Sequence, residues 1–291
     1  MRIPQPIGGK VVVITGAARG IGAALAQRLA ARGARVALLG LEPGELAAVA
    51  ARCGRNAAWF ECDVTDPQAL DAAVAGVQAR FSGVDVLVAN AGIAMGGPLR
   101  LADADSYDRV IEVNLMGSVR TVRAFLPLLI RNQGYYLQVA SLAALAPTPM
   151  ITAYGASKAG VEAFALGVRT ELDGYGVAAG VAYLSFTDTD MGRAAGRSGS
   201  GLRLHDLDSA VDRLIGGIER RSPYVYGQPF IRLLRPARGL LPGLVHRLGR
   251  GPAVRFESAM AQAGPQASAA VGPGGRADTR ARTAPAPEAT R

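Results

Sequence analysis

The sequence predicts an α/β fold: a doubly wound, mostly parallel sheet of about seven strands with helices on both faces. Three observations predict it. Short, continuous apolar runs such as "VVVIT" alternate with longer amphipathic stretches. The runs do not alternate apolar with polar residues, so both faces of each strand are expected to be covered. The segments rich in Gly, Asn and Ser fall just after strand-like runs, where a sheet of this class opens its ligand crevice.

The elements follow in order. Val11–Ile14 reads as a buried strand, and Ala23–Arg32 as a helix stopped by Gly33. Arg35–Leu39 is a second strand, Glu42–Cys53 a helix and Ala58–Cys62 a short strand. Asp66 followed by Pro67 has the form of an N-cap with Pro at the first helical position, opening Gln68–Phe81. Asp85–Ala89 is the next strand. Ser106–Arg131 is one long helical pattern in which Pro127 marks a kink or break. Tyr135–Ala140 is a strand, Thr152–Asp173 a helix, Val177–Leu184 a strand, Asp206–Arg221 a helix and Pro223–Tyr226 a last strand. Residues 1–251 form the expected domain, closing with an Arg/Leu-rich segment at about 228–256. Residues 257–291 are Ala, Gly, Pro, Thr and Arg with few large apolar side chains, and are expected to stay disordered.

Composition excludes several classes. At 291 residues and 49% hydrophobic, the chain can bury a sizeable core. The two cysteines, Cys53 and Cys62, make no disulfide framework, and the two histidines are isolated, so a metal site is not expected and a reducing cytoplasm is. The N-terminus does not read as a signal peptide, and no apolar stretch reaches the length of a membrane span. The net charge of +9 comes mainly from Arg in the C-terminal part. No recognition motif accompanies it, so nucleic acid is not an expected partner.

"VVVITGAARGIGAAL" places Gly16, Gly20 and Gly22 between a strand and a helix. Glycine allows a tight turn and a close backbone approach to pyrophosphate, and the helix N-terminus adds partial positive charge. Further on, "TAYGASKAG" sets Tyr154 four residues before Lys158, on one helical face. The glycine spacing together with "YGASK" resembles the short-chain dehydrogenase/reductase family, over roughly Lys10 to Tyr226. "CDVTD", "NAG", the Asn of "IEVNLMG" and the Ser of "QVASLAA" extend the resemblance, and Ser141 precedes Tyr154 by the family's typical offset, 154 − 141 = 13.

The resemblance implies a Rossmann fold, NAD or NADP as cofactor, and a tetrad of Asn114, Ser141, Tyr154 and Lys158. Gly16, Arg19, Gly20, Ile21 and Gly22 would line the pyrophosphate turn. Asp63 and Val64 would face the adenine. Asn90, Ala91 and Gly92 would lie beside the cofactor, and Thr187 and Thr189 near the nicotinamide amide. Tyr154 would be the general acid/base, Ser141 would bind the substrate oxygen, and Asn114 would hold a water linking Lys158 to solvent. A phenol with a pKa near 10 is a poor base at neutral pH. An ammonium at ~4 Å is worth about 4 kcal/mol at an effective dielectric of ~20, so Lys158 is expected to lower Tyr154.

Two stretches depart from the family pattern. In "VALLGLEPGEL", Gly40 and Leu41 stand where the cofactor-selecting Asp or Arg is usual. Glu42 is then either a first-turn carboxylate or a displaced ribose acceptor, and Arg19 is a candidate for a 2′-phosphate; the balance tips slightly to NADP. In "AYLSFTDTDMG", Leu184 and Ser185 replace the usual Pro-Gly.

Pocket walls are expected from Ile93–Leu99, Leu142–Met150 and the Gly/Ser/Arg-rich loop Met191–Leu204, implying a hydrophobic alcohol or carbonyl substrate. That loop reads as a lid or as passive surface. The Arg/Leu-rich segment reads as a peripheral membrane contact or as a helical hairpin packed on the domain or a partner subunit. A homodimer or homotetramer is implied by the resemblance. The expected activity is hydride transfer between nicotinamide and a secondary alcohol or ketone. The alternative is a non-catalytic nucleotide-binding or lipid-associated protein that keeps the fold.

Overall fold

The computed structural model describes residues 4–146, 148–197 and 204–247. Seven parallel strands form one sheet: β1 Val11–Thr15, β2 Arg35–Gly40, β3 Ala57–Glu61, β4 Val86–Ala89, β5 Tyr135–Val139, β6 Ala178–Tyr183 and β7 Tyr224–Tyr226. Their order is β3-β2-β1-β4-β5-β6-β7, so the winding reverses between β1 and β4. That reversal opens a crevice at the carboxyl ends of the strands.

The helices are α1 Gly20–Ala31, α2 Pro43–Cys53, α3 Pro67–Phe81, α4 Ala104–Ile111, α5 Gly117–Arg131, α6 Thr152–Leu172, α7 Asp190–Arg197, α8 Leu207–Glu219 and α9 Ile231–Leu234. The strands are apolar throughout because the sheet is covered twice. Val11 and Val13 point into a core with Leu87, Tyr136, Phe125 of α5 and Val161 of α6. Val12 and Ile14 point the other way, to Leu38, Val88, Leu25 of α1 and Leu214 of α8. Successive side chains of β1 thus feed two separate cores, as a period of two requires.

The long helical pattern breaks where the sequence does not announce it. Glu112–Met116 is a π-helical turn between α4 and α5, whereas Pro127 sits inside α5 without ending it. Pro127 lies on the exposed face, where the carbonyl it leaves without a partner can be solvated. The π turn instead carries a buried Asn, described below. The stretch Ala104–Arg131 is long and apolar enough to cross a membrane by length and composition, which the sequence reading did not expect, but half of the most apolar window is buried in the fold. A third small core of Val64, Ile93, Met95, Val110, Val113 and Ala153, with Tyr154 against it, lies beside the crevice. The expected disordered tail, 257–291, and the centre of the expected lid, 198–203, lie outside the described residues.

Candidate active site

The glycine turn is built from β1 outward. Thr15 Oγ1 accepts from the backbone N–H groups of Asn90 and Ala91, both at 3.0 Å. Asn90 Nδ2 donates in return to the carbonyls of Thr15 at 3.0 Å and Gly16 at 3.2 Å. The turn after β1 is thereby locked to the end of β4. Gly16 has φ +64°, and a Cβ there would stand 2.8 Å from Ala91 Cα; a Cβ on Gly22 would stand 2.3 Å from the Gly16 carbonyl. Neither position tolerates a side chain.

Helices α3, α4 and α8 are each capped by an aspartate, Asp66, Asp103 and Asp206. At α1 the capping position is Arg19, which makes no side-chain cap bond, and no acid occupies the first turn. The first N–H groups of α1 therefore have no side-chain acceptor and can meet an anion. Ile21, on the first turn, packs against the α1-side core. A cofactor pyrophosphate fits this arrangement. Thr189 closes the turn from the other side, its Cγ2 3.3 Å from where a Cβ of Gly20 would lie.

The adenosine end holds an ion-pair cluster that the sequence did not reveal. Arg19 Nε donates to both oxygens of Glu42, at 2.9 and 3.2 Å, and Nη2 to Glu45 at 2.9 Å. The Glu42 hydrogen bond is the main reason the Arg19 pKa is raised. Glu42 occupies the capping position of α2 but makes no cap bond, so its carboxylate serves Arg19 rather than the helix. The guanidinium expected to await a 2′-phosphate is already engaged by two carboxylates. Asp63 Oδ1 accepts from Thr65 N at 2.9 Å and Oγ1 at 2.7 Å, and its Oδ2 from Arg109 Nη2 of α4 at 3.2 Å. Burial raises Asp63, but the Thr65 bonds and Arg109 outweigh it and hold the carboxyl below its usual value. Val64 is buried against Gly117.

The structure brings together the four residues of the expected tetrad. Ser141 follows β5, caps the short 3-10 turn Leu142–Ala144 by accepting from Ala143 N at 3.2 Å, and its hydroxyl lies towards Tyr154. Lys158 stands one turn on along α6, 5% exposed. Its Nζ donates to the Val139 carbonyl at 3.1 Å and lies 5.6 Å from the centroid of the Tyr154 ring. Burial pushes Lys158 down to about 8. Tyr154 is raised by burial, with the Ser141 hydroxyl offsetting part of the rise. The expected lowering of Tyr154 by Lys158 is therefore not expressed in this geometry. The ammonium sits below the ring, turned to a β5 carbonyl, and both groups are poor in water.

Asn114, fully buried on the π turn, uses its side chain completely: Oδ1 accepts from Ile93 N at 2.8 Å, and Nδ2 donates to Ile93 O at 2.9 Å and Ser157 Oγ at 3.0 Å. The extra residue of a π turn swings this side chain inward. Gly92 lies between the pair: a Cβ there would stand 3.1 Å from Asn114 Oδ1 and 3.4 Å from Lys158 Nζ. The segment after β4 is thus fixed at the Tyr–Lys helix by one asparagine.

After β6, Thr187 is buried, bonds to the Ser185 carbonyl at 3.0 Å and bridges to His205. Thr189 Oγ1 bonds to the Thr187 carbonyl at 3.3 Å and accepts from Gly192 N at 3.1 Å. Where Pro-Gly was replaced by Leu184-Ser185, Gln228 Oε1 accepts from Ser185 N at 2.9 Å and supports the altered turn. Two expected pocket walls meet, with Gly97 N donating to the Met150 carbonyl at 2.6 Å. The residues missed by sequence reasoning are Thr15, Glu45, Arg109, Ser157 and Gln228. Only Ser157 carried a visible signal, one position before Lys158 in "YGASK"; the others meet their partners across the fold.

A family model described as "short chain dehydrogenase" matches residues 10–198. The 3-oxoacyl-[acyl-carrier-protein] reductase FabG of Escherichia coli is 32% identical over 187 residues, 64% of this chain and 77% of that protein. The trans-4-hydroxycyclohexanecarboxylate dehydrogenase of Sinomonas cyclohexanicum is 36% identical over 185 residues, 60% of this chain and 71% of that protein. The NADP-dependent 3-hydroxy acid dehydrogenase YdfG of Salmonella typhi is 32% identical over 205 residues, 70% and 80% of the two chains. Among solved structures, a short chain dehydrogenase/reductase from Burkholderia phymatum in complex with NAD superimposes with a TM-score of 0.74 at 24% identity, covering 81% of this chain and 96% of that one. With the glycine turn, the doubly wound sheet and the Ser–Tyr–Lys grouping already in place, these matches make the chain a member of the short-chain dehydrogenase/reductase family of oxidoreductases.

Proposed function

We propose that this chain interconverts a secondary alcohol and a ketone, with Tyr154 as general acid/base. The observation that carries the reading is Tyr154 standing one turn before the buried Lys158 on α6, with the Lys158 Nζ 5.6 Å from the Tyr154 ring centroid. When bound, the nicotinamide would give or take the hydride. Gly16, Gly20, Ile21 and Gly22 would hold the pyrophosphate at α1, Asn90 to Gly92 would flank the nicotinamide ribose, and Thr187 and Thr189 would cover the amide. Tyr154 would pass its hydroxyl proton to the carbonyl oxygen as the alcohol forms and recover it in reverse. Ser141 would donate to the same oxygen, orienting it and offsetting developing charge. Lys158, near 8, would exchange protons readily at neutral pH and could turn from the Val139 carbonyl towards the ribose. Asn114 is a positioning residue, and the proton relay expected of it would run through its backbone, since its side chain is committed.

The substrate we propose is hydrophobic, because Ile93 and Met95 behind the Tyr154 ring form an apolar cluster. For the cofactor, the engagement of Arg19 by Glu42 and Glu45 shifts the balance from NADP towards NAD: two carboxylates near the adenosine ribose suit a 2′-hydroxyl and repel a 2′-phosphate. Assembly into a homodimer or tetramer would use the outward faces of α5 and α6, where Ala163 and Gly167 are exposed. The test is Tyr154→Phe with a panel of apolar ketones and both reduced cofactors. Cofactor binding, read by nicotinamide fluorescence, should persist while turnover collapses; undiminished turnover would remove Tyr154 from the mechanism.

A further inference from the structure

The segment after β7 divides its side chains into two sets. One set faces the domain. Ile231 is buried, and the Arg235 guanidinium lies 3.6 Å from the centroid of the Tyr224 ring. Arg238 Nη1 donates at 2.8 Å to Glu162, a buried carboxylate on α6 that also accepts from the Tyr183 hydroxyl at 2.8 Å. These contacts hold the segment down. The other set faces solvent. Phe230 is 40% exposed, Leu233 75%, Leu240 79% and Leu244 53%. Eight large hydrophobic side chains are exposed among the described residues, and these four fall within residues 230–244.

The need for intramolecular packing is met by the first set, so it does not explain the second. The charge around the leucines is of one sign. Arg232 and Arg247 are exposed among them, and no Asp or Glu occurs between Arg220 and Arg255. A second copy meeting this surface across a two-fold axis would bring arginine to arginine. A nucleic acid would use the charge but not the leucines. Protruding aliphatic side chains ringed by guanidinium groups fit a lipid surface, where leucines enter the acyl boundary and arginines stay at the headgroup phosphates.

The segment starts at the working end of the sheet and runs back along α6, with Arg235 over Tyr224 and Arg238 on Glu162. β7 runs parallel to its neighbours, so the segment leaves at the carboxyl edge. Gln228 holds Ser185, and the Phe230 ring packs 5.8 Å from that of His205, the partner of Thr187. We propose that residues 230–247 dock on an anionic membrane surface.

The experiment is flotation of the full chain with vesicles of phosphatidylcholine alone and of phosphatidylcholine with about one third phosphatidylglycerol. Binding is expected to the anionic vesicles, to weaken as salt is raised, and to be minor with the neutral ones. The variant Leu233→Ser/Leu240→Ser/Leu244→Ser should partition on the order of 100-fold less while melting at the wild-type temperature. Should that variant fail to fold, Arg232→Glu/Arg247→Glu reads the same surface through its charge. No binding to anionic vesicles at low salt, equal binding to both vesicle types, or full binding by a folded variant would each overturn the proposal. So would a fall in oligomeric mass in the leucine variant without any vesicle binding, which would assign the surface to a second copy.

Discussion

Lys158 and Glu162 stand one turn apart on α6, both buried and both charge-bearing, yet their surroundings are opposite. Glu162 is tied by its own chain at Oε1, through Tyr183 and Arg238, while Oε2 is buried without a partner among the described residues. Among the described residues Lys158 has one neutral carbonyl, a ring at 5.6 Å and no carboxylate. A charge that serves the fold is given partners within the fold, because leaving it alone costs several kcal/mol. On the proposed function, a charge kept with so little would be held for a group that arrives. The pKa of about 8 records that cost, which the protein carries in a site rather than relieving it.

Substitutions at the two positions should separate these roles. The largest effect is expected at Lys158→Met: turnover should fall on the order of 1,000-fold, as for Tyr154→Phe, measured as kcat/KM with a permissive ketone. The same variant should be more stable than wild type near pH 7. A lysine moved from 10.5 to about 8 disfavours the folded state by about 3 kcal/mol where it must be charged. The sign follows from proton counting. Between about pH 8 and 10 the unfolded chain binds more protons at this lysine than the native one, so stability should climb with pH there. Melting temperature against pH should rise across that window in wild type and stay flatter in Lys158→Met; equal slopes would discard the buried, neutralising lysine.

Glu162→Ala should behave in the reverse way. It strands Arg238 and the Tyr183 hydroxyl, and with Arg238 half exposed the expected cost is about 2 kcal/mol, seen as a lower urea midpoint. Hydrogen exchange should quicken in residues 231–247, while kcat on a small soluble ketone changes little. A smaller effect tests a third, partly exposed cluster. Glu42→Gln should improve NADPH affinity relative to NADH by about tenfold, since one of the two carboxylates on Arg19 is removed. An unchanged ratio would take Glu42 out of cofactor choice.

The contrast along α6 also marks what sequence could disclose. Tyr154, Lys158, Ser141 and the glycines were legible because each stands at a fixed offset from a neighbour on the same or an adjoining element, and "YGASK" keeps its meaning without knowledge of the rest. The strands were legible because both faces are buried, leaving continuous apolar runs that end within a residue or two of their observed limits. What stayed hidden was tertiary. Glu162 looks like any helix glutamate until Arg238, 76 residues away, reaches it. Arg19 was read as open to a phosphate because its partners lie beyond a helix and a strand. The break in the long helix was placed at Pro127, the residue with an evident local defect. It occurs at the π turn because Asn114 gains three buried hydrogen bonds there, which no window of sequence around it contains.

The pairing of β1 with β4 joins Val12 to Val86, a separation of 86 − 12 = 74 residues, and the Thr15–Asn90 bonds sit on the same seam. Closing so long a loop carries an entropic cost that helices and adjacent strands do not share, so this seam is expected to zip late during folding. The nucleotide cradle is then no separate fitting on a finished scaffold, since it comes into being with that final closure. A nucleotide that binds only the closed seam would act as a folding clamp, raising the melting temperature with each increment of free ligand above its dissociation constant. Cellular nucleotide supply would in this way set the lifetime of the protein as well as its rate.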